Sequence, residues 1–227
     1  MNVDRSIING WLNVFKEQGY TSSHIVRTLK KKFNIKKIGH YGTLDPLASG
    51  VLPLALGEAT KTIQFITCTQ KSYSFFINWG KETDTCDKAG KVLRETNARP
   101  NIAEIKPIIK KYFTGNIDQT PPIFSAVKVN GKRAYQLARK NEKFEINIKK
   151  IKIFTFKLSR FINKNKAQFY VSCGPGTYVR SLARDLSTKL GTLGYASDIM
   201  RLKNSYFCIS RSISFDKIIK SDIQNFY

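Results

Sequence analysis

A glycine- and proline-rich segment near the N-terminus restricts the fold more than any other part of this chain. It reads KIGHYGTLDPLASGVLPLALGEATK and covers residues 37–61. Its glycines and prolines interrupt any long helix, because glycine adds backbone freedom and proline lacks an amide proton. We therefore predict a structured loop that leads into a short apolar strand at residues 51–56.

The rest of the chain mixes strand and helix patterns without a strict βαβ order. Apolar runs or alternation predict strands at 7–15, 71–80, 92–93, 144–158 and 167–173. Caps and helical spacing predict helices at 21–33, 58–67, 102–113, 132–140 and 177–190. We expect a loop at 114–131 that ends in an Asn130-Gly131 turn, and a final loop with short strands after 190. This mixture favours an α+β fold with a largely antiparallel sheet.

The charge of the chain favours a polyanionic partner. Lys and Arg total 39 against 16 Asp and Glu, which gives a net charge of +23. Each contact between a cation and a phosphate releases condensed counterions, so such an excess suits nucleic acid. The alternative explanation is an AT-rich genome, because its codons raise the lysine and asparagine content of ordinary enzymes as well. An anionic membrane surface is a weaker one, since no clear basic amphipathic helix is present.

Cysteine and histidine usage argues against a metal site. The four cysteines are scattered without a CxxC pair, and there are two histidines. A zinc site would need four converging ligands from this small set, so we expect no metal and no cofactor. No apolar run approaches the roughly 20 residues that span a bilayer. The polar N-terminus is also untypical of a signal peptide, so we expect a cytoplasmic protein without membrane contact.

Asp45 is the candidate for chemistry within residues 37–61. It is the one carboxylate between Gly39 and Gly57, and Pro46 disfavours a helical conformation at Asp45. A lone aspartate among apolar and small residues is a candidate nucleophile or base. The alternative is an ordinary turn aspartate, because Asp is common in turns.

The same segment resembles the signature of the TruB-type tRNA pseudouridine synthases, roughly G-H-x-G-T-L-D-P-x-A-x-G-V-L-P-x-x-x-G-x-A-T-K. Four more motifs resemble those of the family in the same order: NVFKEQGYTSS, KSYSFFINWGKETDTCD, PPIFSAVKVNGKRAYQLAR and CGPGTYVRSLARDLSTKLG. The resemblance covers about residues 8–210. One departure is Glu17, which stands where the family usually has proline after Lys16.

The resemblance implies a pseudouridine synthase fold, with a catalytic domain over residues 1–227. It also implies an insertion at about 120–145 that closes over the RNA. The C-terminal PUA-type domain of typical bacterial members is expected to be absent. The implied reaction is conversion of uridine 55 in the T loop of tRNA to pseudouridine by a monomer.

The resemblance also implies roles for individual residues. Asp45 matches the nucleophile, Tyr73 the tyrosine that stacks on the flipped base, and Arg180 the arginine that pairs with the aspartate. Five further residues match substrate-binding positions: His40, Lys61, Asp87, Tyr178 and Met200.

Each of these residues has a structural alternative. Taken singly, they could be a loop histidine, core tyrosines, a surface ion pair, a turn aspartate and a solvated lysine. For the whole chain, two alternative functions remain. One is a non-catalytic RNA-folding or assembly factor, and the other is a synthase acting on another RNA.

Overall fold

The computed structural model describes residues 8–224 in two compact units. The first unit contains residues up to 71 and from 200 onward, and the second contains residues 72–199. Each unit carries its own apolar core, so each is described by itself.

The described residues form fourteen strands, four α-helices and short 3₁₀ helices. The strands are β1 (Gly10–Lys16), β2 (Ile38–His40), β3 (Ser49–Leu56), β4 (Lys71–Trp79), β5 (Lys81–Thr83), β6 (Val92–Glu95), β7 (Gly115–Gln119), β8 (Lys128–Val129), β9 (Lys132–Arg133), β10 (Lys149–Asn163), β11 (Lys166–Cys173), β12 (Gly194–Asn204), β13 (Phe207–Cys208) and β14 (Ile213–Ser214). The α-helices are α1 (Ser22–Lys32), α2 (Ile102–Tyr112), α3 (Ala134–Arg139) and α4 (Val179–Lys189). The 3₁₀ helices are Gly57–Phe65, Ile209–Arg211 and Lys220–Asp222.

In the first unit, β3 is the central strand. It pairs antiparallel with β1 from Gly10 opposite Leu56 to Lys16 opposite Gly50. It also pairs antiparallel with β2, and parallel with β12 through Met200 and Arg201. Because β2 and β3 border residues 41–48, the sheet fixes both ends of the segment that carries Asp45.

Helix α1 forms beside this sheet for reasons visible in its sequence. Thr21 is the N-cap, and its hydroxyl accepts a hydrogen bond from the amide of His24 at 3.0 Å. Ile25 and Leu29, four residues apart, are fully buried. The helix ends before Asn34, whose φ of 52° is a conformation that asparagine tolerates.

In the second unit, the strand order is β4-β11-β10-β7. Strand β10 is antiparallel to both β11 and β7. Three phenylalanines from β4, β10 and β11 form its aromatic centre, with ring centroids 5.7 to 6.0 Å apart: Phe75, Phe156 and Phe169. The Asn130-Gly131 turn joins β8 to β9 with φ values of 49° and 81°, as the sequence predicts.

The α+β class with a largely antiparallel sheet is confirmed, but several elements differ from expectation. The region after 190 contains β12, a strand of 11 residues, where short strands were predicted. The predicted loop at 114–131 contains β7, and β10 begins at Lys149 and not at residue 144. Pairing with β10 stabilises β7 although Asn116 and Asp118 are poor strand formers.

Two further expectations concern the termini and membranes. The predicted first strand begins at Ile7, which lies outside the described residues. None of the helices within residues 8–224 combines the length and apolar character needed to cross a bilayer.

Candidate active site

Asp45 lies in the segment 41–48, which we call the Asp45 loop. Asp45 is half-buried, and its carbonyl accepts a hydrogen bond from the amide of Ala48 at 3.0 Å. At the start of the loop, the amide of Tyr41 donates to the carbonyl of Pro53 on β3 at 2.9 Å. The loop therefore folds back onto the strand that follows it.

Arg201 on β12 holds one side of the Asp45 loop. Its guanidinium is only 1% exposed and donates to three backbone carbonyls. The acceptors are Val51 at 2.7 Å, Gly42 at 2.8 Å and Thr43 at 3.3 Å. Asn204, on the same strand, donates to the carbonyl of Tyr41 at 2.6 Å. Two side chains of β12 thus fix three consecutive peptide groups of the loop.

Gly50 allows this close approach between β3 and β12. Its φ is 104°, a value that residues with a side chain rarely adopt. A Cβ atom at position 50 would lie 2.2 Å from the carbonyl oxygen of Arg201. Glycine is therefore required here both for its conformation and for the space it leaves.

The segment that follows β1, together with the first residue of α1, holds the other side of the Asp45 loop. Ser22 Oγ bonds to both backbone groups of Leu44, accepting from its amide at 3.0 Å and donating to its carbonyl at 3.1 Å. The Gly19 amide donates to the Pro46 carbonyl at 2.8 Å, and Gln18 donates to the Leu47 carbonyl at 2.6 Å. The peptide groups on both sides of Asp45 are therefore anchored by residues outside the loop.

Lys16 is a second buried cation near Asp45. Its side chain is fully buried, and Nζ donates to the carbonyls of Tyr20 at 2.8 Å, Glu17 at 3.0 Å and Pro46 at 3.4 Å. Burial lowers the pKa of Lys16 to about 8, while the negative charge of Asp45 opposes that shift and the positive charge of Arg201 adds to it. Lys16 therefore places a titratable positive charge within electrostatic range of the carboxylate.

His40 ends β2, just before the Asp45 loop, and is half-buried. Burial lowers its pKa, and the positive charge of Arg201 lowers it further. The imidazole is therefore neutral at physiological pH. Its Nδ1 is buried and has no hydrogen-bond partner among residues 8–224. A buried polar atom without a partner costs free energy.

In the second unit, Arg180 lies in the first turn of α4 and is 5% exposed. It donates to the carbonyls of Thr85 at 3.0 Å and Phe124 at 3.2 Å, and it pairs with Asp87 at 3.5 Å. This burial excludes the alternative of an exposed surface pair. Asp87 also shows turn chemistry, because its carboxylate accepts from Thr85 Oγ1 at 2.7 Å and the Ala89 amide at 3.0 Å.

Two tyrosines of the predicted site also lie in the second unit. Tyr73 is buried on β4. Tyr178 is the N-cap of α4, and the side chain of buried Gln119 bonds to both of its backbone groups. The Tyr178 amide donates to Gln119 Oε1 at 2.8 Å, and Gln119 Nε2 donates to the Tyr178 carbonyl at 3.1 Å. Gln119 therefore fixes the backbone from which Tyr178 and Arg180 project.

The remaining predicted residues lie in the first unit. Lys61 is exposed on the 3₁₀ helix Gly57–Phe65, where it pairs with Glu58. Met200 is partly buried on β12, opposite Ser49. The structure thus groups Asp45 with His40, Lys16 and Arg201, and groups Arg180 with Asp87. No three His, Cys, Asp or Glu side chains within residues 8–224 are arranged to hold a metal ion.

Sequence reasoning did not single out Lys16, Gln119 or Arg201 as functional positions. Lys16 and Arg201 lie next to residues that were considered, Glu17 and Met200. What distinguishes Lys16 and Arg201 is that each is a buried cation, and burial becomes visible only when the fold is known.

The fold is that of the pseudouridine synthases. A chain in the crystal structure of a Cbf5-Nop10-Gar1 complex matches 99% of this chain with a TM-score of 0.72 and 28% sequence identity, over 62% of its own length. A second match, in the structure of an H/ACA RNP bound to a substrate RNA, has a TM-score of 0.68 and 24% identity. It covers 95% of this chain and 54% of the other.

The sequence defines the family more narrowly. Residues 30–179 match the TruB family pseudouridylate synthase N-terminal domain, and the chain belongs to this family. The tRNA pseudouridine synthase B of Wolbachia pipientis subsp. Culex pipiens is 45% identical over 95% of this chain and 61% of the relative. That of Ehrlichia ruminantium is 43% identical over 92% of this chain and 71% of the relative. The chain thus spans roughly two thirds of the length of these relatives.

Replacing Arg201 should destabilise the fold through the Asp45 loop. Arg201→Met leaves three backbone carbonyls without their donor and removes a buried side chain, so we expect a loss of about 3 kcal/mol in the free energy of unfolding. Arg201→Lys should recover only part of it, because one ammonium cannot span the same acceptors. Urea denaturation measures the difference. Lys203→Met, at an exposed position of the same strand, is the control and should stay within about 0.5 kcal/mol of wild type.

The lowered pKa of Lys16 predicts a pH dependence of stability. Between about pH 8 and the ordinary lysine value of 10.5, the unfolded chain holds a proton that the folded chain has lost. The free energy of unfolding should therefore rise with pH in this window. Lys16→Met should remove that component, which is measured as the difference between the two denaturation series. NMR titration of the Lys16 side chain near pH 10.5 in the folded protein would contradict this prediction.

Proposed function

We propose that this chain converts uridine 55 in the T loop of tRNA to pseudouridine, with Asp45 as the nucleophile. The observation that carries the proposal is an aspartate with its flanking peptide groups anchored, in a chain 43 to 45% identical to tRNA pseudouridine synthases B. Such preorganisation is what a nucleophile needs, since a small misplacement of a reacting group costs much of the rate.

The proposed reaction is an isomerisation. The Asp45 carboxylate bonds to C1′ as the N-glycosidic bond between C1′ and N1 breaks. The uracil rotates, and C5 bonds to C1′ as the bond between Asp45 and C1′ breaks and releases the carboxylate. The hydrogen on C5 then leaves as a proton. N1 gains a proton, so the product has the same atoms as the substrate. Because no electron is gained or lost overall, the reaction requires no redox cofactor.

The other predicted residues have roles in this proposal. The target base must leave the folded T arm, as bases do in other base-modifying enzymes. Tyr73 stacks on the extruded uracil and can accept the C5 proton, and Arg180 pairs with the nucleophile and keeps it ionised. His40, whose pKa is lowered by burial, contacts the RNA where bases have been extruded. Lys61, Asp87, Tyr178 and Met200 are proposed to contact the substrate.

A non-catalytic RNA-folding factor is the second candidate. The family match alone is compatible with it, because a chain can bind RNA without modifying it. The anchored Asp45 loop favours catalysis, since a binding surface would not need to immobilise a carboxylate among buried cations.

Asp45→Asn tests the assignment of the nucleophile. The amide is isosteric but far less nucleophilic, so we expect loss of pseudouridine formation by at least about a thousandfold, with tRNA binding retained. Release of tritium from tRNA labelled at uracil C5 measures turnover, and pseudouridine mapping locates the product.

Asp118→Asn, at an exposed position on β7, is the matched control and should retain activity. Persistent modification by Asp45→Asn would exclude Asp45 as the nucleophile. Absence of pseudouridine with the wild-type chain on every tRNA would favour the RNA-folding factor.

The segment 120–145 is proposed to close over the RNA arm. It contains the β8–β9 hairpin and α3. Arg133 donates to the Ala126 carbonyl at 2.6 Å, and the Arg139 guanidinium lies 5.5 Å from the ring centroid of Tyr135, so both support the segment itself. Four exposed lysines remain for phosphate contacts: Lys128, Lys132, Lys140 and Lys143.

Changing these four lysines to Gln should weaken tRNA binding and flatten its salt dependence. We expect the slope of log Kd against log salt to fall by about one for each phosphate that the variant no longer neutralises. Filter binding at several salt concentrations measures the slope. The four corresponding Lys→Arg changes keep the charge and should preserve it. An unchanged slope in the Gln variant would reject this role.

A further inference from the structure

A basic hollow lies on the C-terminal half of α1 and the residues that follow the helix. It has a volume of about 490 Å³, and we call it the α1 hollow. Its lining consists of four cations, an amide and one apolar residue: Arg27, Lys30, Lys31, Lys36, Asn34 and Ile35. All four cations are exposed. Lys32, which does not line the hollow, instead donates to the carbonyl of Asp216 at 3.2 Å.

The positive charge of the α1 hollow is not balanced by acidic side chains. Residues 18–44 contain six Lys and Arg and no Asp or Glu. Within the described part of the chain, none of the four lining cations forms an ion pair with a carboxylate. Elsewhere on the surface, cations do pair, as Lys81 with Glu95 at 2.9 Å and Lys88 with Asp198 at 2.9 Å. The hollow therefore presents its full charge to solvent.

This arrangement is unfavourable for the isolated helix. Arg27, Lys30 and Lys31 are spaced three and four residues apart, so they share one face, and each like-charge pair costs a few tenths of a kcal/mol. The helix dipole compensates in part for lysines in the last turn, but Arg27 lies too far from the C-terminus to benefit. A bound anion would relieve this electrostatic cost.

The position of the α1 hollow relative to Asp45 suggests the nature of that ligand. Ser22, in the first turn of α1, is bonded to Leu44 in the Asp45 loop. From Ser22 to Lys31 the helix rises about 14 Å, at roughly 1.5 Å per residue. A duplex advances about 3.4 Å per base pair along its axis, so along a base-paired stem this distance corresponds to roughly four nucleotides of one strand.

We propose that the α1 hollow binds backbone phosphates of the substrate RNA, about four nucleotides from the uridine at Asp45. This inference rests on the proposed function, since that function supplies the RNA. Arg27 can contact a phosphate through two N–H groups, and the lysines act as point charges beside it. A membrane surface suits the hollow less well, because the apolar residues of α1, Ile25 and Leu29, are buried in the core.

The test is a charge-neutralised variant, Arg27→Gln with Lys30→Gln and Lys31→Gln. Binding to tRNA is measured in the Asp45→Asn background, so that the result does not depend on turnover. We expect affinity to fall at least tenfold at 0.1 M salt, and the salt slope to fall by about two to three. Unfolding by urea should show a fold that is intact and no less stable than the parent, since like-charge repulsion has been removed.

A matched control neutralises three exposed lysines of another helix of the same length: Lys106→Gln, Lys110→Gln and Lys111→Gln on α2. It changes net charge equally and should bind tRNA within about twofold of the parent. If both variants lost the same amount of tRNA affinity, the loss would be due to net charge alone, and the proposal would be overturned. So would loss of binding to phosphatidylserine vesicles by the α1 variant with tRNA affinity unchanged.

Phosphate ethylation interference locates the contact. In the parent, ethylation at phosphates about four nucleotides from the target uridine should block binding, and in the α1 variant those positions should no longer matter. An identical interference pattern in both proteins would show that the α1 hollow does not bind these phosphates, even if the chain forms pseudouridine. Conversely, lack of any pseudouridine with wild-type chain, despite tRNA binding that depends on the α1 hollow, would reject the proposed reaction and leave the hollow supported.

Discussion

The hydrogen bonds from the Arg201 guanidinium to the carbonyls of Gly42, Thr43 and Val51 organise the region around Asp45. A buried guanidinium is costly unless its donors are satisfied. Here carbonyl dipoles supply that compensation, and the same bonds fix a loop without regular secondary structure. Lys16 repeats the arrangement from the other side, because its acceptors are also carbonyls. Two buried cations thus hold the backbone of the Asp45 loop and create a positive electrostatic potential around it.

The second unit uses the same principle with different groups. Gln119 binds both backbone groups of Tyr178, and Arg180 binds the carbonyls of Thr85 and Phe124. In both units, side chains on regular elements hold the backbone of irregular segments. Loops with this support keep their geometry without long strands or helices of their own.

The sequence contains enough information to predict the elements whose signals are local. Helix α1 was predictable because Thr21 caps it and Ile25 and Leu29 share a face. The Asp45 loop was predictable because the glycines and prolines around it interrupt any long helix. Arg201, by contrast, contacts acceptors about 150 residues away along the chain, and no local pattern encodes such a contact. The sequence predicts only short strands where the 11-residue β12 lies, since Asp198, Arg201 and Lys203 interrupt its apolar pattern.

The charge of the chain illustrates what the structure adds to composition. A net charge of +23 could reflect codon usage or a polyanionic ligand, and the count of lysines does not separate the two. Codon usage would scatter cations over the surface, where many would meet acidic partners. The structure instead contains buried cations bonded to carbonyls beside Asp45. It also contains a face of α1 with three exposed cations, Arg27, Lys30 and Lys31, none of which pairs with a carboxylate among the described residues. Because repulsion within that face lowers helix stability, its charge is better explained by a phosphate-bearing ligand than by composition alone.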